Sequence, residues 1–147
     1  MMKKLALVLA VGVISLLLVA CPATETPATS TYTASLTGAA EVPPVTTNAT
    51  GSVTVTLDGN AVTVEGSYSG LSGAPTGAHI HGPASETENA GVILALTATD
   101  GTTAGTGTIS GSGNLSDAEV ADLKAGRYYV NVHTEANAPG EIRGQLE

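Results

Sequence analysis

Tryptophan and phenylalanine are absent from this 147-residue chain; tyrosine occurs four times and cysteine once. So few aromatic rings exclude a stacking platform of the kind that holds sugars or single-stranded nucleic acid. A lone cysteine excludes an internal disulfide. Bases are scarce as well: five Lys and Arg stand against thirteen Asp and Glu, a formal net charge of −8. Nucleic acid is therefore not a partner, because phosphate must be met by Lys and Arg. There is no Gly-x-Ser-x-Gly elbow and no phosphate-cradling loop. Histidine occurs three times, so any imidazole chemistry falls to His79, His81 and His133.

What is present begins with "MMKKLALVLAVGVISLLLVA", residues 1–20. Lys3 and Lys4 form a basic start, and Leu5 to Val19 is an apolar run ending in small residues, the pattern of a secretory signal. A membrane span needs about twenty apolar residues and different flanks. The run stops at Cys21, and Leu18-Val19-Ala20-Cys21 resembles the lipobox of bacterial lipoproteins. That resemblance implies cleavage before Cys21, a diacylglycerol on its sulfur, and attachment to the envelope membrane. Several acyl chains make such attachment durable, whereas one binds only marginally. The following "PATETPATST" has no periodicity and no large apolar residue, so residues 21–31 read as a flexible tether.

Residues 32–147 are enough for one domain with one core. Once the signal is removed, Lys124, Arg127 and Arg143 remain against the thirteen acids, a formal net charge of −10. Such a surface attracts cations. In "GSVTVTLDGNAVTVEGSYSG", Val53, Val55 and Leu57 alternate with polar residues, and the alternation resumes at Val62 and Val64 beyond Asp58-Gly59-Asn60. This predicts a β-hairpin. "YTASLT", "AHIH", "GVILALT", "GTGTISGSGNL", "RYYVNVHT" and "EIRGQLE" bring the total to about eight strands. The fold class expected is all-β: an antiparallel Greek-key sandwich or flattened barrel. One short helix interrupts it in "NLSDAEVADLKAG", where Ser116 and Glu119 form a capping box and Gly126 supplies the stop.

Strand parity organises the polar residues. In "AHIHG", His79 and His81 share a face while Ile80 takes the other. In "RYYVNVHT", Tyr129, Asn131 and His133 oppose Tyr128, Val130 and Val132. If the last two strands pair as a hairpin, Asn131 falls near Arg143 and His133 near Glu141. The three imidazoles converge only if the "AHIH" strand runs beside that strip.

"TASLTGAAEVPPV", "GAHIHGPA", "LKAGRYYVNVHT" and "PGEIRGQL" resemble, in order, the motifs of the CHRD domain, named after the repeats of chordin and common in exported bacterial proteins. The resemblance spans about residues 32–146 and implies a β fold related to copper/zinc superoxide dismutase. It also implies that His-x-His at 79–81 and the later His133 match part of that enzyme's copper ligand set. The match stops there: the dismutase uses further histidines and an aspartate, and this chain has no histidine left. Arg143 before Gly144 resembles the dismutase's substrate-guiding arginine only weakly.

Three neutral imidazoles suit copper or zinc rather than calcium or magnesium. On this reading His79, His81 and His133 are the ligands, with Asn131, Arg143 and Glu141 close behind them, and Cys21 is the lipidation site. The acidic loop "ASETENAG", with Glu86 and Glu88, reads as solvated. Three function classes follow: a lipid-anchored metal-binding module; an adhesion module meeting an envelope or matrix protein, with purely architectural histidines; and a dismutase-like oxidoreductase.

Overall fold

A computed structural model describes residues 28–147. Cys21, the signal and most of the tether lie outside the described residues. The strands are β1 (Ser30–Thr37), β2 (Thr50–Asp58), β3 (Ala61–Ser69), β4 (Pro75–His81), β5 (Val92–Asp100), β6 (Gly107–Asn114), β7 (Tyr129–Thr134) and β8 (Ile142–Gln145). One α-helix, α1 (Asp117–Lys124), joins β6 to β7, and a 3-10 turn, Gly38–Ala40, follows β1. All pairings are antiparallel, and the sheet closes in the order β1-β2-β3-β6-β5-β4-β7-β8. The all-β barrel with one short helix expected from the sequence is therefore the observed architecture.

Two Greek keys are interlocked in that order. β4, β5 and β6 are consecutive neighbours, and β3 lies beside β6 while β7 lies beside β4. The long connection to β7 is α1. Its start is fixed by the capping box, in which the Ser116 hydroxyl accepts from the Glu119 backbone N–H and the Glu119 carboxylate accepts from the Ser116 backbone N–H. It ends as Gly126 enters the left-handed region at φ +66°. Asn60, in the β2–β3 turn, donates to the Leu115 carbonyl and to Asp117, so that turn and the helix entry hold one another. The turn itself has Gly59 at φ +59° in its first central position, as a two-residue hairpin loop requires.

Alternation sends one set of side chains inward. Val53, Val55, Val62, Val64, Val130 and Val132 are buried, as are Ile80 and Ile142. Each contributes about 1.5–3 kcal/mol of transfer free energy. The opposite parity faces outward, and over most of the barrel it meets water. Across β4, β7 and β8 it does not: His81, Tyr129, Asn131 and Arg143 are buried although they point away from the core. The 82–91 and 135–141 connections bond to this outer face through Ala90, Ala138 and Pro139. A polar layer is thus partly covered by the loops, with His79, His133 and Gln145 on the same face left half-buried.

Candidate metal centre

β4 and β7 run side by side in an unbroken register from Gly77 opposite His133, through His79 opposite Asn131, to His81 opposite Tyr129. This pairing brings the "AHIH" strand against the polar strip. Adjacent strands stand about 4.8 Å apart, so the three imidazoles meet on one patch of outer surface. Their ring centroids are 5.4 Å apart for His79 and His81, 4.9 Å for His79 and His133, and 6.1 Å for His81 and His133. One nitrogen from each ring lies within 4.8 Å of the others. Glycine at position 77 gives His79 its room: the ring leans over Gly77, where a Cβ would stand 3.3 Å from His79 Cε1.

The loops then decide which nitrogens carry protons. His81 Nδ1 lies 3.0 Å from the Ala90 carbonyl, and His133 Nδ1 lies 2.9 Å from the Ala138 carbonyl. A carbonyl only accepts, so both Nδ1 atoms are protonated and both Nε2 atoms carry lone pairs in the neutral rings. His81 Nε2 is buried and has no hydrogen-bond partner. His133 Nε2 has one, at 2.9 Å from His79 Nδ1, which donates to it. Ligating histidines usually have their remote N–H held by a carbonyl in this way, which fixes ring orientation.

These residues fit a copper or zinc ion. Nitrogens at about 2 Å from one ion stand no more than about 4 Å apart; here one nitrogen of each ring lies within 4.8 Å of the others, so the separations must shorten somewhat for all three to ligate one ion. The His79 Nδ1 proton must leave for that ring to join through the same atom. Burial holds His79 below the ordinary imidazole range, with help from His133 and His81. Burial does the same to His81, opposed by its Ala90 hydrogen bond. Both rings therefore stay neutral, the state a ligand needs, to lower pH than a free imidazole.

The other residues expected near the site divide. Asn131 pairs across from both His79 and Arg143, donates to the Pro139 carbonyl at 3.3 Å, and keeps a buried, unpartnered Oδ1. Arg143 is separated from the imidazoles by Tyr129: its guanidinium lies 3.5 Å above the tyrosine ring, and that ring is stacked on His81 at 5.0 Å and 6°. Its nitrogens donate to the Asn89 side chain and to the Ser85 and Glu88 carbonyls, so it holds the 85–89 loop in place. The Glu141 carboxylate is hydrogen-bonded to other groups than the imidazoles: it accepts from Thr47, Ser72 and Thr134. Tyr129 goes unnamed among the expected site residues, although its parity with Asn131 and His133 is visible. Besides stacking on His81, its hydroxyl accepts from the Ala90 N–H at 3.2 Å.

The surroundings of this centre come from four separate stretches, and those stretches carry a family's signature. A family model for the CHRD domain matches residues 32–146. No curated protein and no solved structure matches the chain. From residue 32, within β1, through the histidine pair of β4 to residue 146, just past β8, the chain belongs to the CHRD domain family.

Proposed function

We propose that this domain binds a single Cu(II) or Zn(II) ion through His79, His81 and His133, and that Cys21 anchors it to the envelope membrane. The observation that carries the metal reading is the pair of carbonyls at Ala90 and Ala138, which leave two Nε2 lone pairs beside a third imidazole. Softer ligands are missing: the described residues include no cysteine or methionine, which favours Cu(II) or Zn(II) over Cu(I). Three nitrogen ligands leave a fourth position for water or another small ligand. Isothermal titration of the chelator-treated protein with each ion tests the reading. Binding no tighter than that of the triple His→Ala chain refutes it. The His79–His133 hydrogen bond favours the competing, architectural reading, under which the loops and not an ion are what the rings hold.

Metal is not needed for the fold on this reading. The core is complete without it, so a strong chelator is expected to leave the β-sheet circular dichroism unchanged. Only the mass-action stabilisation supplied by bound ion should be lost. Collapse of the spectrum would show that the ion is structural.

Anchoring rests on the basic start, the apolar run and the lone cysteine that closes it. Cys21→Ser is expected to move the protein from the membrane to the soluble fraction or to leave it unprocessed. Unchanged fractionation together with unchanged mass would rule the anchor out.

A further inference from the structure

Strand pairing places Tyr129 of β7 directly opposite His81 of β4. It also sets Arg143 of β8 opposite Asn131, one diagonal step from Tyr129. Because β7 lies between β4 and β8, the tyrosine ring has the imidazole on one side and the guanidinium on the other. The imidazole is nearly parallel to it, at 6° and 5.0 Å between centroids, an ordinary separation for stacked rings. The guanidinium carbon stands 3.5 Å from the ring centroid, well inside cation–π range.

The tyrosine reaches His81 a second time, through Ala90. Its hydroxyl accepts from the Ala90 N–H at 3.2 Å, and the Ala90 carbonyl lies 3.0 Å from His81 Nδ1. The loop is fastened at Ser85, Glu88 and Asn89 by Arg143. Its base is closed by the Gly82 N–H, which donates to the Gly91 carbonyl at 3.2 Å. Between these fastenings, the Tyr129 hydroxyl is what meets the Ala90 N–H.

Both contacts act on what a ligand ring must supply. A neutral imidazole carries its proton on either nitrogen, and the tautomer with Nδ1–H leaves the Nε2 lone pair free for an ion. The Ala90 carbonyl selects that tautomer, and the stack fixes the plane of the ring. His133 reaches the same tautomer through the separate Ala138 carbonyl.

We propose that Tyr129 is a positioning residue of the metal centre: backed by Arg143, it holds His81 in place as the Nδ1–H tautomer with its Nε2 lone pair free. The proposal rests on the three-histidine reading, and its test therefore includes a measurement made without metal.

Long-range ¹⁵N–¹H correlation spectra of the full chain in EDTA, at a pH above the imidazole range, identify the tautomer of each histidine. The wild type is expected to show Nδ1–H at both His81 and His133. Tyr129→Phe keeps the stack and loses the hydroxyl, whereas Tyr129→Leu loses both contacts. His81 is expected to become a mixture of tautomers, in part in Tyr129→Phe and more fully in Tyr129→Leu. His133 should stay as it is in both and serves as the internal control. Zn(II) titration of the chelator-treated chains is then expected to show affinity lowered about tenfold or more in Tyr129→Leu, and by less in Tyr129→Phe. Should Tyr129→Leu fail to fold, Tyr129→Phe decides the matter. An unchanged His81 tautomer together with wild-type zinc affinity overturns the proposal, as does a change that strikes His133 equally. Zinc binding by the wild type no tighter than by the triple His→Ala chain overturns the metal reading itself, and the proposal falls with it.

Discussion

His81→Ala and His133→Ala are each expected to weaken Cu(II) or Zn(II) binding by at least about a hundredfold. Disturbing the groups behind a ligand typically costs 10–100-fold, and removing a ligand outright costs more. The two substitutions act on the same feature, since each removes an Nε2 whose ring is aimed by a carbonyl, Ala90 for one and Ala138 for the other. Two imidazoles then remain, which is too few for a closed nitrogen site. The affinity should also depend on pH. Protons compete with the ion for the same lone pairs, so binding is complete at neutral pH and declines as the imidazoles charge. Burial of His79 and His81 places their part of that decline below the usual imidazole value of 6.5. Glu86→Ala, which touches no imidazole, should leave metal affinity unchanged. Equal affinity in the wild type and the triple His→Ala chain would assign the histidines to architecture.

The polarity of each face was legible in the sequence because strand period is local: residues two apart share a side whatever the rest of the chain does. Val53, Val55, Val62 and Val64 declare the interior, and His79 with His81 and Tyr129 with Asn131 and His133 declare the outer layer. The capping box at Ser116 and Glu119 was equally local. Pairing of β4 with β7 is a different matter. It joins strands separated by β5, β6 and α1, and no single stretch encodes it; the expectation that His133 comes alongside rested on the fold implied by the family resemblance. The loops account for the remaining gap. Nothing in "PASETENAG" or "EANAPGE" reveals that their carbonyls at Ala90 and Ala138 orient imidazoles, because a backbone carbonyl leaves no trace in residue identity.

Glu141 shows how one carboxylate can be misplaced by one strand-end position. Parity put it opposite His133 on the polar strip, but β8 begins only at Ile142, and Glu141 lies in the preceding turn. There it gathers three connections: Thr47 from the β1–β2 segment, Ser72 from the β3–β4 segment, and Thr134 at the end of β7. Its donors sit at 2.9 Å for Thr47, 2.6 Å for the Ser72 hydroxyl and 2.7 Å for Thr134, with the Ser72 backbone N–H at 2.9 Å. It is wholly buried, at 0 % exposed.

Removing that acceptor leaves up to four donors without a partner. Thr134 is buried, Thr47 half-buried and Ser72 exposed, so water meets part of the loss, and Glu141→Ala is expected to destabilise the domain by about 1–3 kcal/mol. A fall in Tm on the order of 10 °C should accompany it. Glu141→Gln keeps one accepting oxygen and should fall between the variant and the wild type. The pH dependence gives a second signature. Burial raises the Glu141 pKa, but the hydrogen bonds from Ser72, Thr134 and Thr47 outweigh it and hold the carboxyl below its ordinary value of 4.5. A carboxyl whose folded pKa is depressed stabilises the fold above the unfolded pKa and stops doing so as pH falls through the folded one. Wild-type stability should thus drop through the region below pH 4.5, and the Glu141→Gln chain should lose less over the same interval. Because Glu141 closes the turn whose Ala138 carbonyl holds His133, a destabilised turn should also loosen that ring. Urea titrations at pH 7 and pH 4 check the stability terms, and identical slopes with pH in the wild type and Glu141→Gln would contradict the assignment.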